Sequence, residues 1–275
     1  MLDASSLVNK STLSVIVFIF GLAIGSFLNV CIHRIPRNQS LLFPASHCPK
    51  CKKPIKPFDN IPVLSYIILG GKCRNCKKPI SLIYPTVELV TAILFTIAFL
   101  KFGLTWSFLR AVLFFGFLIV VTFIDLQFQI APFRITIPGL IVGILTSFLL
   151  PQITLNSVLG MLLGGLFVFL VWVLWRYLLS GLFQVTAGIK QKEGIGWGDL
   201  PLTAMIGAFL GWRNLLVAIF VAVIVGVFIG LILRVSKKNQ PGQPIAFGPF
   251  LAIGGVVGLL FGEMIANWYL NQFLR

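Results

Sequence analysis

Four of the five cysteines fall in two C-x-x-C pairs, Cys48-Pro-Lys-Cys51 and Cys73-Arg-Asn-Cys76. Four thiolates at this spacing can close a tetrahedron around one ion, the closed coordination of a structural zinc ribbon. The lysines and arginines around them favour the thiolate form. A redox pair or two disulfides are the competing readings, but the loop lacks the βαβ context that a thioredoxin-like pair needs. His47 stands beside an already complete set of four cysteines. Cys31, at the end of the first apolar run, reads as a packing residue.

The second chemical signal is carboxylate. The chain has 7 acidic residues in all, so each one in apolar surroundings needs a reason. Asp125 closes an apolar run in Phe123-Ile124-Asp125, and Asp199 follows Gly194-Ile195-Gly196-Trp197-Gly198. Ionisable residues within or at the ends of membrane spans are costly and usually functional. Two carboxylates at one membrane level, brought close by packing, share a proton and titrate as a unit. In an aspartic protease one such group activates water while the other, protonated, polarises the scissile carbonyl. Helix capping or interfacial snorkelling explains either aspartate alone; a matched pair with a glycine lead-in favours catalysis. The glycines leave room for a substrate strand, whereas a nucleotide-binding reading lacks the strand-to-helix context it requires. Glu88 is a candidate substrate-contacting or supporting group, and Glu263 falls toward the opposite side; structural hydrogen bonding is open for both.

Composition says what must position these groups. The chain is 58% hydrophobic and 11% charged, with a mean hydropathy of +1.00. Soluble domains carry about 25% charged residues, so a soluble fold and disorder are both excluded. Apolar runs suited to spans lie at 13–32, 82–100, 106–124, 135–150, 157–179, 195–212, 214–233 and 246–270. The expectation is an all-α polytopic membrane protein of about eight transmembrane helices. Its first helix occupies 1–32, a zinc-binding segment 33–81, and a seven-helix catalytic domain 82–275. The sixth run is the shortest and is expected to form a hairpin with the seventh, turning near Arg213.

Charge sets the orientation. The net charge is +15, and ten basic residues crowd into 33–81 against the single acid Asp59. The positive-inside rule puts that loop in the cytoplasm and both termini outside. Seventeen of the 22 basic residues then fall inside, including Lys190, Lys192, Lys237 and Lys238. On this count Asp125 and Asp199 both sit at cytoplasmic ends of their spans. The basic excess therefore reads as a surface for anionic lipid headgroups, not for nucleic acid.

The motifs, in their order, resemble the type IV prepilin peptidases, also called leader peptidase–N-methyltransferases. Gly25-Ser26-Phe27-Leu28-Asn29-Val30 with Arg34-Ile35-Pro36 looks like the family's opening motif. The two cysteine pairs, Asp59-Asn60-Ile61-Pro62, Leu64-Ser65-Tyr66 and Tyr84-Pro85-x-Val87-Glu88 look like its cytoplasmic zinc segment. Phe123-Ile124-Asp125, Gly196-x-Gly198-Asp199 and Phe247-Gly248-Pro249-Phe250 match its aspartate motifs and last span. The resemblance implies an aspartic endopeptidase of the bacterial inner membrane, with Asp125 and Asp199 catalytic and Cys48, Cys51, Cys73 and Cys76 on zinc. Gly196, Gly198, Glu88 and Asn29 would lie near substrate or support the site. The substrates implied are prepilins or pseudopilins, whose new N-terminus the family methylates with S-adenosylmethionine. The chain departs from the pattern at Pro132-Phe133, Pro201, Ile83 and Ala246, where the family commonly has Pro-Asp, lysine, arginine and proline. A proton-coupled transporter and a pilin-binding homologue that does not cleave remain the alternatives; the absence of a visible repeat and the shared face of the aspartates speak against transport.

Overall fold

Inside hydrocarbon no water can satisfy a backbone N–H or C=O, so an apolar run must bond to itself and becomes a helix. The structure, a computed structural model, describes residues 4–43, 45–179, 196–235 and 246–273. Its helices are α1 (Ala4–Arg34), α2 (Leu64–Ile68), α3 (Ile83–Phe102), α4 (Trp106–Phe128), α5 (Phe133–Ser147), α6 (Pro151–Leu174), α7 (Asp199–Val235) and α8 (Gly248–Phe273). A π-helical turn, Trp175–Leu179, extends α6. Among the described residues there is no strand, only isolated bridges at His47–Pro54 and Lys72–Pro79. Among the described residues six helices are long and apolar enough to cross a membrane, and α5 is a shorter apolar one. The longest, α7, is two helices broken at Gly211, whose φ of 74° is cheap only for glycine. Among the described residues eight apolar helical segments result, the number expected. The loops with Lys190, Lys192, Lys237 and Lys238, and the start of the sixth expected span, lie outside the described residues.

The chain forms two units, Met1–Val120 and Val121–Arg275. In the first, α1 and α3 pack antiparallel with almost no side chain between them. A Cβ on Gly21 would lie 2.6 Å from Ala92 Cα, and one on Gly25 would lie 2.6 Å from Glu88 Cα. One contact further along, Asn29 Nδ2 donates to the Tyr84 carbonyl at 3.0 Å. Steps of four residues on each helix keep these contacts on one face.

In the second unit, α6 packs on the first half of α7 and α8 on the second half. Any Cβ on Gly160 or Gly207 would overlap the other's backbone, and Gly164 abuts Thr203. Close backbone approach through small residues is how membrane helices gain packing without a hydrophobic driving force. The same contacts fix the direction of α7. Gly198 abuts Ala131, which follows α4, while Gly248 abuts Asp125 on α4 itself. Along α8, Phe250 then meets Gly226, and Gly262 meets Asn214. Residues 198 and 226 therefore share one end and 211–214 occupy the other. The expected hairpin is present, with its turn at Gly211 instead of Arg213 because only glycine takes that φ at no steric cost.

Candidate active site

Asp125 lies in the last turn and a half of α4, 5% exposed. Its Oδ2 accepts the Gly248 N–H at 3.0 Å. Gly248 is the first residue of α8, where the leading N–H groups have no partner inside the helix and the helix dipole favours negative charge. The motif Phe247-Gly248-Pro249-Phe250 thereby acquires a local meaning. Pro249 has no N–H to give and is tolerated in a first helical turn. Gly248 supplies the N–H and the space, since a Cβ there would sit 2.5 Å from Asp125 Oδ2.

Asp199 opens α7 and is 9% exposed. Its own N–H bonds to the Gly196 carbonyl at 3.0 Å, and its carbonyl accepts from Thr203 Oγ1 at 2.8 Å. The two glycines before it differ in role. A Cβ on Gly198 would stand 2.7 Å from the Ala131 carbonyl oxygen, so this glycine lets the α7 entry touch the α4–α5 connection. Among the described residues a Cβ on Gly196 would meet only ordinary contacts, Asp199 Oδ2 at 3.9 Å the nearest. Trp197 between them rests on Trp172, ring centroids 4.9 Å apart. Asp125 and Asp199 lie at the same end of the second unit, where Gly198 abuts Ala131 and Gly248 abuts Asp125. Of the departing residues, Phe133 is half exposed at the start of α5. Pro201 is buried in the first turn of α7, so a lysine there would have to bury its charge.

The first unit holds two further clusters. The Sγ atoms of Cys48, Cys51, Cys73 and Cys76 all lie within 4.8 Å of one another, with Cys48 and Cys76 at 3.9 Å. Zinc–sulfur bonds of about 2.3 Å in a tetrahedron require sulfurs about 3.8 Å apart, so the set fits that ion. All four are free thiols converging on one point, and His47 instead engages the Ala45 carbonyl. The two halves repeat one geometry. Lys52 N donates to Cys48 O and Cys48 N to Lys53 O; Lys77 N donates to Cys73 O and Cys73 N to Lys78 O. Lys52 and Lys77 take positive φ, 62° and 57°, at a cost that a fixed metal site can bear. The N–H groups of Cys76 and Asn75 pull the Cys73 thiol down to about 6, so a thiolate stands ready at neutral pH. Cys51 is drawn down by the Lys53 N–H, yet desolvation and the other sulfurs push it up to about 11. Beside the tetrad, Arg74 pairs with both oxygens of Asp59, Nη2 reaching Oδ1 at 2.6 Å. The hydrogen bonds from Arg74 hold the Asp59 carboxyl below its usual range.

The other cluster is a cavity of about 820 Å³, lined among others by Ser26, Asn29, His33, Arg37, Tyr84 and Glu88. Asn29 is 5% exposed, and its Oδ1 is buried with no hydrogen-bond partner among the described residues. Glu88 Oε2 accepts the Val63 N–H at 2.7 Å. Asn29 and Glu88 thus come together with each other in the first unit, while Asp125, Asp199, Gly196 and Gly198 come together in the second. The Gly248 N–H and the Val63 tether escaped the sequence reading. A Gly-Pro pair opening a helix was the available signal for the first.

Comparison with known proteins now bears on this arrangement. Residues 19–102 match the Bacterial Peptidase A24 N-terminal domain, and residues 112–231 match the Type IV leader peptidase family. The chain is 38% identical to the prepilin leader peptidase/N-methyltransferase of Aeromonas hydrophila over 284 residues, covering 94% of each. This chain belongs to the type IV leader peptidase family. Similar relatives with the same name occur in Pseudomonas aeruginosa, at 36% identity over 92% of each chain, and in Bacillus subtilis, at 36% over 94% of this chain and 98% of that one. No solved structure matches the chain. Both family matches fall on the residues built into the clusters above: the tetrad and cavity in the first, both aspartates in the second.

Metal analysis of the purified leader peptidase homologue should find one zinc per chain. Cys73→Ser should lower that stoichiometry and leave 33–81 open to protease, because a three-sulfur remnant has no core beneath it. Metal-free protein with an intact, protected segment would contradict this.

Proposed function

We propose that this chain is an aspartic endopeptidase that removes the basic leader from type IV prepilins or pseudopilins at the cytoplasmic face of the bacterial inner membrane. The observation that carries this reading is the pair of buried carboxylates, Asp125 and Asp199, at one end of the second unit. Two such groups share one proton, so one takes a proton from the attacking water while the other donates a hydrogen bond to the scissile carbonyl. The Gly248 N–H holds Asp125 in one orientation, which spares the site a reorganisation during reaction. A Cβ on Gly196 would meet no described atom closer than 3.9 Å, and we read this glycine as room for an extended substrate backbone beside Asp199. The ten basic residues of 33–81 support a cytoplasmic reading of that loop by the positive-inside rule, and counting spans from it supports a cytoplasmic level for both aspartates and an outside position for both termini.

Asp125→Asn and Asp199→Asn should each reduce leader cleavage by at least about 10²–10⁴-fold, with zinc content and membrane insertion unchanged. An amide has nearly the carboxylate's shape but cannot take a proton from water. Near-normal cleavage by either variant would defeat the dyad. An unmodified chain that binds prepilin and never cleaves it would point to a non-cleaving homologue. For topology, a reporter fused after Arg275 should be active only outside the cytoplasm; activity only inside would reverse the orientation.

The relatives' name includes N-methyltransferase, and the cavity in the first unit has donors suited to S-adenosylmethionine. At about 820 Å³ it lies within the roughly 300–1,000 Å³ range of small-molecule sites. Asn29 Oδ1 is an acceptor without a donor, and beside Glu88 it offers two oxygens to an ammonium or sulfonium. His33 and Arg37, on the same cavity, can meet a carboxylate. When bound, S-adenosylmethionine supplies an electrophilic methyl group to the amine freed by cleavage. Asn29→Leu should weaken S-adenosylmethionine binding, measured by calorimetry, about tenfold, the loss of one hydrogen bond to a cation. Unchanged affinity would remove Asn29 from that site.

A further inference from the structure

Helix α2 has two unlike faces. Ser65, Tyr66 and Leu69 line the cavity. Leu64, Ile67 and Ile68, spaced one helical turn apart on the other side, are 50%, 67% and 68% exposed. Leu82, directly before α3, is 69% exposed. An apolar face of this kind on a water-surrounded element would be a liability.

Its depth says what covers it. The Val63 N–H, at the start of α2, donates to Glu88 Oε2 at 2.7 Å. Glu88 belongs to the second turn of α3, which is itself a candidate span from Ile83 onward. At 1.5 Å per residue, Glu88 lies about 7.5 Å along the span from its first residue. The hydrogen bond therefore draws the entry of α2 down beside the first two turns of α3. Val63 accepts a φ of 61° to make this turn, a strained conformation for a β-branched residue. Interfacial elements bury their apolar faces about 5–10 Å into the headgroup–acyl boundary, which is the same level.

We propose that α2 is seated in the lipid interface, with Leu64, Ile67 and Ile68 in contact with the bilayer, continuous with the lipid-facing surface of α3. The partner is the membrane itself: acyl chains for the apolar face and anionic headgroups for the basic segment around it, which includes Lys56 and Lys72. The cavity lies on the other face of α2, lined by Ser65, Tyr66 and Leu69, and so opens at the membrane surface. The proposal rests on the membrane fold and is independent of what the chain cleaves.

The test uses the full chain in vesicles of phosphatidylglycerol and phosphatidylethanolamine. An environment-sensitive fluorescent amino acid replaces Ile67 or, in a second variant, Leu64. Both substitutions are at exposed positions and should leave zinc content and insertion unchanged. Lipids carrying a nitroxide near the headgroup should quench the probe at least about twofold more than aqueous iodide does, as burial in the boundary requires. Glu88→Leu, which removes the oxygen that the Val63 N–H donates to, should shift quenching toward iodide. Probes at both positions quenched mainly by iodide would overturn the proposal. So would probes shielded from both quenchers, because protein would then cover the face.

Discussion

A carboxylate buried among membrane helices can turn only to the protein for the hydrogen bonds that water would supply, and the architecture of the second unit follows from that constraint. Asp125 finds its donor in the Gly248 N–H, one of the few backbone groups that a helix leaves unpaired. For that donor to arrive, α8 must begin beside the end of α4. Its later turns then lie along the second half of α7, with Phe250 on Gly226 and Gly258 near Asn214. The break at Gly211 folds α7 so that its first residue, Asp199, returns to the same end. One hydrogen bond and one positive φ thereby bring both aspartates to a common level.

The first unit meets a different constraint. Between Ile35 and Leu82 only Cys48 is buried among the described residues, so the insertion has no hydrophobic core to hold it. Small segments of this kind depend on a metal or on covalent staples. Here the cysteine tetrad joins the two knuckles, the Asp59–Arg74 pair ties the second knuckle to the turn Pro57–Asn60, and Glu88 anchors Val63 to α3. Burial of Arg34, which donates to the Ser40 carbonyl at 2.8 Å, secures the exit from α1. Each tether is polar and short, and Arg34, Asp59, Arg74 and Glu88 from them line the cavity.

The two units share one packing device. Gly21 and Gly25 let α1 touch α3, and Gly160, Gly207 and Gly254 do the same within the second unit. Where the backbones meet so closely, functional side chains at the ends of the contact are positioned by the helices themselves. Asn29 follows the Gly21-Gly25 step, and Asp199 precedes the Thr203-Gly207 step.

Much was legible in the residues alone because the signals are local. Long apolar runs dictate helices, since lipid offers no other partner for the backbone. The doubled cysteine knuckle predicts its own convergence, because four thiolates at that spacing have one shared use. The rarity of acids makes Asp125 and Asp199 conspicuous, and charge counting put them at one level. Tertiary structure decided what depends on packing between distant segments. The partner of Asp125 stands 123 residues away, and no local pattern encodes such a meeting. Gly196 and Gly198 are indistinguishable as letters, yet a Cβ on Gly198 would strike Ala131 while one on Gly196 would meet no described atom closer than 3.9 Å. Glu88 read as a substrate-contacting, supporting or structural group without a named partner; only the antiparallel contact of α1 with α3 sets it with Asn29 on one cavity. The physical reason is the same throughout: periodicity and composition act over a few residues, whereas an orphaned donor, a cavity or a close glycine contact exists only after whole helices have met.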